Sequence, residues 1–594
     1  MPGTGQTLGP HRLPDRVGVP GRRGHPNGCP QSAPRRRHRL RSPRRPRRNR
    51  DRRRIPHHSR GLLHHRIGHS GGRRRPSELS PPCRARQTRQ VARRNQQLTE
   101  PPSRGDSHAN RAPPPTQRKG PALRTIAVVG AGPSGAFATA ELLRDPDTRI
   151  DVFDRLPSPF GLIRYGVAPD HFRIKSVAKV LTRTLGNPRV RFAGNVDLGR
   201  HITVDDLRAN YHAVVLATGA QRSHRLGIPG ENLTGNHAAA DIVSWYNGHP
   251  LCGSPLAEGS SKVAVIGAGN VSLDVARVLL KAPDSWSETD VPATVLDTLG
   301  RTRVSDVHII IRRGVTDTRF TPAELTELEN IEGLHIAVDP SDTSLTAEEQ
   351  ATYDADSLVR ERVDIFRRWA SAPIRDPAAT VGKTLRFWFR QHPSEIVGTD
   401  RVEAIRLQRA STEATPPPDL TREARILEVQ AVIRSIGYLG EPIAGVPFDE
   451  QRGLIPNQRG RVAQGLYVAG WIKRGPNGII GTNKQCATET INTLRADLAS
   501  AAHQPVDESV MLRRLRDQQV RVVSWNGWTD IDAAETALGT DRGCSRTKIE
   551  DLDRLLDIGA PPRRPSARPF TSRSGSPTDH HTPCSSPDKI RNEQ

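Results

Sequence analysis

The first apolar run typical of a buried strand is Thr125–Val129, which follows Arg124. A glycine turn, GAGPSG at residues 130–135, comes next, and residues 136–144 have a helical pattern. A second strand pattern at residues 149–153 ends at Asp154. Strand, glycine turn, helix, strand and acidic residue in this order predict a dinucleotide-binding βαβ unit.

Each glycine of this turn has its own role in such a unit. Gly130 permits the tight turn, Gly132 lets the backbone approach a pyrophosphate, and Gly135 lets helix and strand pack closely. The phosphate lies at the helix N-terminus, where free N–H groups and the helix dipole favour negative charge. Asp154 stands 19 residues after Gly135, where a carboxylate accepts hydrogen bonds from a ribose.

The same pattern recurs in the middle of the chain. A strand pattern at residues 261–266 leads into a second turn, Gly267-Ala268-Gly269, in which the small Ser272 replaces the third glycine. A helix is predicted over residues 271–280 and a strand over 307–311. That strand ends in Arg312 and Arg313, and two guanidiniums there favour the 2′-phosphate of NADP over the free hydroxyl of NAD.

Two dinucleotide sites in one chain predict a tightly held flavin at the first site and NADPH at the second. Strand patterns at residues 213–219 and 432–437 predict the two crossings between domains, and residues 465–470 predict a late strand of the flavin domain. The turn at residues 475–481 opens the final helix, whose N-terminal dipole would face the flavin. The predicted fold is α/β, with two Rossmann-like domains and the NADPH domain inserted into a split FAD domain.

Charge is distributed very unevenly along the 594 residues. Residues 1–120 contain 31 basic and 5 acidic residues and no aromatic residue, and the other 474 residues are neutral overall. Such a segment has too little apolar surface to fold alone. It fits a disordered arm that binds nucleic acid, a targeting peptide, or an upstream extension without function; its prolines oppose a targeting helix, and its Arg-rich, aromatic-free composition favours the extension.

Two classes of protein are excluded by composition. No apolar run approaches the roughly 18 residues that a membrane helix needs. The six cysteines are scattered without a CxxC pair, which argues against a dithiol redox centre, a zinc ribbon or a bound iron–sulfur cluster. Electrons that leave a flavin would therefore need a separate acceptor.

Several longer motifs carry a resemblance to a known family. They are PFGLIRYGVAPDH at 159–171, GNV at 194–196, WYNG at 245–248, GNVSLDVAR at 269–277, RRG at 312–314 and GWIKRGP at 470–476. The chain resembles the adrenodoxin reductase type of NADPH–ferredoxin reductase, closely over residues 124–500 and loosely over 501–559. The resemblance implies an FAD enzyme that passes a hydride from NADPH to FAD and then single electrons to a ferredoxin-type iron–sulfur protein.

The resemblance also implies individual contacts. Those to FAD would come from Ser134, Asp154, Leu162, Leu198, Trp471, Gly478, Ile479 and Ile480, and those to NADP from Gly267, Ala268, Gly269, Asn270, Val271, Arg312, Arg313, Glu324 and Gly478. Glu324 would also orient one guanidinium of the arginine pair. The sequence departs from the family at Asp154, where Glu is usual, at Asn477, where Thr is frequent, and in the segment 315–319.

Three residues are predicted to act in catalysis. His171 and Glu327 match a histidine–carboxylate pair that the family places near flavin and nicotinamide, with a role in electrostatic tuning and positioning. Asp274, on the helix of the NADP site, would hold water near the flavin. For Glu327, a solvated face of the helix at 322–330 is an equal alternative.

The domains predicted from these patterns are a disordered segment at 1–120, FAD domain parts at 121–221 and 425–500, the NADPH domain at 222–424, a helical extension at 501–559 and a disordered tail at 560–594. We expect a cytoplasmic monomer with no metal, membrane or nucleic-acid partner. Lys473 and Arg474 would steer the acceptor. An FAD monooxygenase or another electron-donating flavoprotein subunit shares the plan and stays an alternative, as does, more remotely, nucleic-acid binding through the arginine-rich segment.

Overall fold

The computed structural model describes residues 123–372, 382–409, 424–500 and 506–561. The predicted segment at 1–120 lies outside the described residues, and so does the predicted tail at 560–594 from residue 562 onward. No helix within the described ranges is both long and apolar enough to cross a bilayer.

Seventeen strands occur in the described residues: β1 Arg124–Val129, β2 Thr148–Asp154, β3 Val190–Gly194, β4 Ala213–Leu216, β5 Arg222–Ser223, β6 Asn236–Ala238, β7 Lys262–Ile266, β8 Asp306–Ile310, β9 Leu334–Val338, β10 Lys383–Trp388, β11 Gln391–Val397, β12 Ala404–Arg409, β13 Arg425–Glu428, β14 Ala431–Arg434, β15 Tyr438–Leu439, β16 Arg461–Ala463 and β17 Leu466–Val468.

Sixteen α-helices accompany them in the same ranges: α1 Pro133–Leu142, α2 Leu162–Tyr165, α3 Phe172–Lys175, α4 Ala178–Leu185, α5 Val204–Asn210, α6 Ala239–Tyr246, α7 Asn270–Leu280, α8 Ala293–Arg301, α9 Pro322–Leu328, α10 Ala347–Ala355, α11 Ser357–Ala370, α12 Trp471–Arg474, α13 Ile480–Ser500, α14 Ser509–Asp517, α15 Trp525–Arg542 and α16 Leu552–Gly559.

Two six-stranded sheets organise the described chain. The first has the order β16-β17-β4-β1-β2-β3 and the second the order β6-β14-β7-β8-β10-β9. β1 pairs in parallel with β2 and β4, and β7 pairs in parallel with β8 and β14, so each glycine turn follows a central strand. Such strands are buried on both faces, which explains why their sequences are short continuous apolar runs. The predicted pair of Rossmann-like domains is confirmed.

Strand order also confirms the insertion of one domain into the other, because all strands of the second sheet lie between β4 and β16 in the chain. Both crossings meet in a short antiparallel ribbon, in which Tyr438 of β15 pairs with Ser223 of β5. The predicted return to the first domain at residue 425 is wrong. β13 extends the small sheet β11-β12-β13, and β14 pairs with β7 of the second sheet. The run AVIR at 431–434 is equally suited to either sheet, so its sequence could not assign it.

The C-terminal residues pack on the first sheet. α14 contributes Met511 and Leu515 to the core on one face, and α15 contributes Trp528 and Ile531 to the core on the other. The helical patterns at 510–516 and 549–558 correspond to α14 and α16, whereas α15 was not anticipated. Its sequence has almost no apolar stripe, so its 18 residues are ordered by tertiary contacts.

Candidate functional site

The first glycine turn leaves open space at one position. A Cβ on Gly130, whose φ is 106°, would overlap the carbonyl oxygen of Ala217, and a Cβ on Gly135 would overlap the carbonyl oxygen of Gly130. A Cβ on Gly132 would meet nothing closer than the Cα of Gly161 at 3.9 Å. The first and third glycines are therefore required by the fold itself, whereas the second keeps clear the N-terminus of α1. This cradle fits a pyrophosphate.

Asp154 at the end of β2 is tied to this turn. Its carboxylate accepts hydrogen bonds from the backbone N–H of Ala131 at 2.6 Å and of Leu156 at 2.9 Å. Burial raises the pKa of Asp154, and the two backbone hydrogen bonds oppose that rise. The carboxylate thus fixes the turn, and its other lone pairs are suited to ribose hydroxyls.

The residues expected around a flavin ring are partly uncovered. The indole Nε1 of Trp471 is buried without a hydrogen-bond partner among the described residues. Ile479 is 79% exposed and Leu162 is 37% exposed, which is high for large apolar side chains. Ser134 lies against Gly470, and Leu198 is half-buried. An unpaired N–H donor together with exposed aliphatic side chains fits a flat ring system with polar edges.

Two other predicted flavin contacts lie at the start of α13. Gly478 has a φ of 84°, and a Cβ there would approach the Oγ1 of Thr482 to 2.7 Å. Ile480 is the first residue of α13 and packs against the core of the first sheet. The prediction that a helix opens here is confirmed, although three further helices follow it in the chain.

The second glycine turn repeats the first with one change. A Cβ on Gly267 would overlap the carbonyl oxygen of Ser435, whereas Gly269 has nothing within 4 Å of a Cβ position. Ser272 fills the third position, fully buried, and its Oγ has no hydrogen-bond partner in the described part of the chain. Asn270 opens α7 and accepts the backbone N–H of Thr321 at 2.9 Å. Ala268 and Val271 are partly buried and pack on the core beneath the turn.

Arg312 and Arg313 follow β8 after one intervening residue, Ile311, and both are exposed. Arg313 lies 3.7 Å from Asp317 on the surface, a contact weak enough for an anion to replace. The expectation that Glu324 orients one of these two guanidiniums is wrong. Glu324 lies on α9 and contacts Arg277 at 3.2 Å, because the first turn of α9 faces α7.

A charged cluster joins the two domains beside α7. Arg277, only 1% exposed, contacts Asp274 at 2.8 Å, Asp170 at 3.0 Å and Glu327 at 2.8 Å, besides Glu324. The Nε2 of His171 is also within hydrogen-bonding distance of Arg277. We call these six residues the Arg277 cluster: Asp170, His171, Asp274, Arg277, Glu324 and Glu327.

The structure thus brings together all three predicted catalytic residues. The Nε2 of His171 lies 3.5 Å from Asp274 and 3.8 Å from Glu327. His171, Glu324 and Glu327 place donor atoms within 4.8 Å of one another, which is also the spacing of a metal site. The guanidinium of Arg277 already donates to both glutamates, so it takes the place of a cation there.

Burial and charge set the protonation of the aspartates in the cluster. Burial raises the pKa of Asp274 to about 6, an effect that Arg277 opposes and Glu324 reinforces. Asp170 behaves in the opposite way. Burial alone would raise its pKa, but Arg277 and Lys281 hold the pKa below its ordinary value. Asp274 is therefore the one of these two aspartates that can change charge near neutral pH.

Sequence reasoning missed Arg277 and Asp170. Both lie inside motifs that carried the resemblance, but they are 107 residues apart in the chain, and no local spacing in the sequence indicates that they form an ion pair. An arginine inside the otherwise apolar run VARVLL was the available signal, since a buried helical arginine requires carboxylate partners.

Lys473 and Arg474 were predicted to form a docking charge, and this prediction is wrong. Lys473 is buried, contacts Glu489 at 2.6 Å and donates to Thr490. Arg474 donates to Asn483 at 2.7 Å and to the carbonyl oxygen of Asn477. Both side chains are bound internally because α12 is a single turn packed against α13.

Comparisons with known proteins agree with this geometry. A family profile described as pyridine nucleotide-disulphide oxidoreductase matches residues 124–359. NADPH-ferredoxin reductase FprA of Mycobacterium tuberculosis is 40% identical over 455 residues, which is 73% of this chain and 98% of the relative. The mitochondrial NADPH:adrenodoxin oxidoreductase of Arabidopsis thaliana is 35% identical over 460 residues, covering 73% and 95%.

A solved structure, Mycobacterium tuberculosis FprA in complex with NADPH, is similar over 73% of this chain and 99% of its own. Its TM-score is 0.68 and its sequence identity is 39%.

Proposed function

The chain belongs to the adrenodoxin reductase-type NADPH–ferredoxin reductases, and we propose its function on that basis. It is an NADPH-dependent FAD oxidoreductase that delivers electrons to a separate ferredoxin-type iron–sulfur protein. The chemistry that bound FAD would supply is acceptance of a hydride from NADPH and release of single electrons. The observation that carries the proposal is the pair of cleared glycine turns, one in each domain, with the Arg277 cluster joining the domains beside the second turn.

The first domain supplies the flavin site. We propose that the N-terminus of α1, kept clear at Gly132, holds the pyrophosphate and that Asp154 accepts hydrogen bonds from the ribose. The uncovered side chains of Leu162 and Ile479 exclude water from the ring, and the buried N–H of Trp471 donates to a polar edge. The flavin site would be completed by four further residues, Ser134, Leu198, Gly478 and Ile480.

The second domain supplies the NADPH site. We propose that the turn at Gly267–Gly269 and the N-terminus of α7, with Ala268, Asn270 and Val271, hold the pyrophosphate. Arg312 and Arg313 would clamp the 2′-phosphate with charge-assisted hydrogen bonds. Because this phosphate is remote from the reacting carbon, these contacts act on the KM for NADPH.

The Arg277 cluster holds the groups nearest the reaction. We propose that His171 and Asp274 orient the reacting part of the nucleotide and its water, and that Glu327 adds a negative charge beside His171. Arg277 is a positioning residue, because it fixes four carboxylates and the histidine while its own guanidinium stays buried. Glu324, predicted as a nucleotide contact, acts through Arg277.

The test uses the full purified chain. We expect a yellow protein with about one FAD per chain, which NADPH bleaches without oxygen and an adrenodoxin-type [2Fe–2S] protein reoxidises. Cytochrome c should be reduced at a useful rate only when the iron–sulfur protein is present. A colourless protein that takes up no added FAD, or a flavoprotein that reduces no iron–sulfur protein, would overturn the proposal.

The expectations of a cytoplasmic location, a monomer and no nucleic-acid partner stay predictions. Size-exclusion chromatography with light scattering tests the monomer, and titration with labelled DNA and RNA at low salt tests the nucleic acid.

A further inference from the structure

Helices α3 and α4 present an exposed surface that mixes large apolar with basic side chains. Phe172 is 54% exposed, Ile174 39% and Val180 57%. Arg173, Lys179 and Arg183 are exposed among them. We call these six residues the α3–α4 face. Lys179 and Arg183 are four residues apart on α4, so with Val180 they lie on one side of that helix, away from its buried Leu181 and Leu185.

The charge of this face is not compensated locally. Residues 171–196 contain six lysines and arginines and no acidic residue. Three of the six are bound internally: Lys175 contacts Asp290, Arg191 contacts Asp151, and Arg189 donates to backbone carbonyls. Arg173, Lys179 and Arg183 form no ion pair with any residue of the described ranges. Three cations around uncovered apolar side chains are typical of a surface that binds an acidic partner.

The face borders the candidate site. Phe172 and Arg173 immediately follow His171, which contacts the buried Arg277. α4 packs on α1, whose N-terminus is the first glycine turn. The two residues that were expected to dock the acceptor, Lys473 and Arg474, are bound internally, so they leave this role open.

We propose that the α3–α4 face is the docking surface for the electron acceptor, a small acidic iron–sulfur protein. The identity of the partner rests on the proposed function, and the place of docking rests on the exposed side chains. Arg173, Lys179 and Arg183 steer the encounter through their charge, while Phe172, Ile174 and Val180 bury apolar area against the partner. A lipid surface is the competing occupant of a basic face with an exposed aromatic residue, and the test separates the two.

The central variant reverses the three charges in one protein: Arg173→Glu, Lys179→Glu and Arg183→Glu. The matched control is Arg303→Glu, Arg452→Glu and Arg516→Glu, which makes the same change in net charge at three exposed arginines on other elements. Flavin absorbance and NADPH–ferricyanide activity show that each variant is folded and loaded, since ferricyanide needs no docking surface. The acceptor probes are an adrenodoxin-type [2Fe–2S] protein and a bacterial [4Fe–4S] ferredoxin, each with cytochrome c.

We expect the reversed face to raise the KM for the iron–sulfur protein by on the order of 10-fold at low salt, and to flatten the salt dependence of kcat/KM. Ferricyanide activity should stay within about twofold of the wild type, and the control triple should behave like the wild type. A second variant, Phe172→Ser with Val180→Ser, keeps the charge and should raise the same KM while leaving the salt dependence intact.

Equal KM values for the reversed face and the control triple would overturn the docking surface while the proposed function stands. Binding of the wild type, but not of the reversed face, to phosphatidylserine vesicles, with unchanged acceptor kinetics, would assign the face to a membrane instead. A wild type that reduces ferricyanide but neither iron–sulfur protein would overturn the proposed function, and with it this inference.

Discussion

Replacing Arg277 with Met should destabilise the protein by an amount that grows with pH. Met keeps most of the side-chain volume but removes the cation that faces Asp170, Asp274, Glu324 and Glu327. Asp274 and Glu324 have side chains only about 15% exposed, so water cannot replace the lost contacts. Removing one partner of a buried ionic cluster typically costs about 3–5 kcal/mol.

The direction of the pH dependence follows from Asp274. The pKa of Asp274 rises from 3.8 in the unfolded chain to about 6. This carboxyl group therefore stabilises the folded wild type fully below pH 3.8, and the stabilisation is lost as pH rises through 6. This shift corresponds to about 3 kcal/mol. Arg277 lowers the pKa of Asp274, so in the Met variant that pKa lies higher still. The variant therefore goes on losing folding stability up to a higher pH than the wild type does.

The cost of the substitution should therefore be smaller at pH 5 than at pH 8. The neighbouring carboxylates do not reverse this sign, because Asp170 and Glu324 lose the same cation and their negative charges also raise the pKa of Asp274. Tyr246 and Tyr438, which also face Asp274, have pKa values raised by burial and stay neutral throughout.

The assay is equilibrium unfolding in guanidinium chloride at pH 5, 6.5 and 8, followed by far-UV circular dichroism and by flavin fluorescence. Arg368→Met is the matched control, because Arg368 contacts a single carboxylate, Glu329, at 2.6 Å from a side chain 55% exposed. We expect the control to cost less than about 1 kcal/mol at any pH. Equal losses at pH 5 and pH 8 for Arg277→Met would show that the residue contributes only packing, and would refute the electrostatic reasoning.

Three further predictions test other parts of the molecule. Gly132→Val should leave a folded but colourless protein in the absorption spectrum, because its side chain enters only the cleared space, whereas Gly135→Val should fail to fold. Arg313→Ala should raise the KM for NADPH by about 10-fold or more and leave NADH nearly unchanged in steady-state kinetics with a dye acceptor. Glu535→Gln should lower the free energy of unfolding in guanidinium by about 3 kcal/mol or more at pH 7, because Arg164 loses its buried charged partner at 2.5 Å. This difference should shrink on acidification, because the pKa of Glu535 is lowered in the folded protein and the stability that its charge contributes to the wild type is lost as pH falls.

Local sequence patterns were enough to predict the two parts of the fold that are built around a glycine turn. Each glycine turn requires a preceding buried strand and a following helix, so β1 with α1 and β7 with α7 could be placed to within a few residues. Local patterns could not predict α15, because it has glycines at 527 and 539 and almost no apolar stripe. Gly527 packs against Gly559 so closely that a side chain would overlap its carbonyl oxygen, a requirement visible only once the two helices meet.

The charged contacts needed the fold for a different reason. A carboxylate on a helix surface has the same local sequence whether it faces water or a buried arginine, which is why Glu327 was open to two interpretations. Glu327 itself is half exposed, and its contact at 2.8 Å with Arg277 of the neighbouring helix α7 gives it a buried partner within the inserted domain. Similarly, Lys473 follows a tryptophan and an isoleucine in a motif expected beside the flavin, and its sequence does not reveal that Glu489 of α13 contacts its ammonium group.

The C-terminal helices show how such contacts place the cofactor domains relative to each other. Glu535 of α15 binds Arg164 of α2, which lies inside the motif expected to contact flavin, and also accepts the N–H of Ile549 at 2.9 Å. One residue before Ile549, the buried Lys548 contacts Asp290 of the inserted domain at 3.0 Å. Since a buried charge is stable only with its partner in place, the segment holds α2 and the inserted domain at a fixed separation. The helices after residue 505 are therefore part of the reductase unit, because the α2 segment and the NADPH domain are both bound to them by charges that cannot be released to water at low cost.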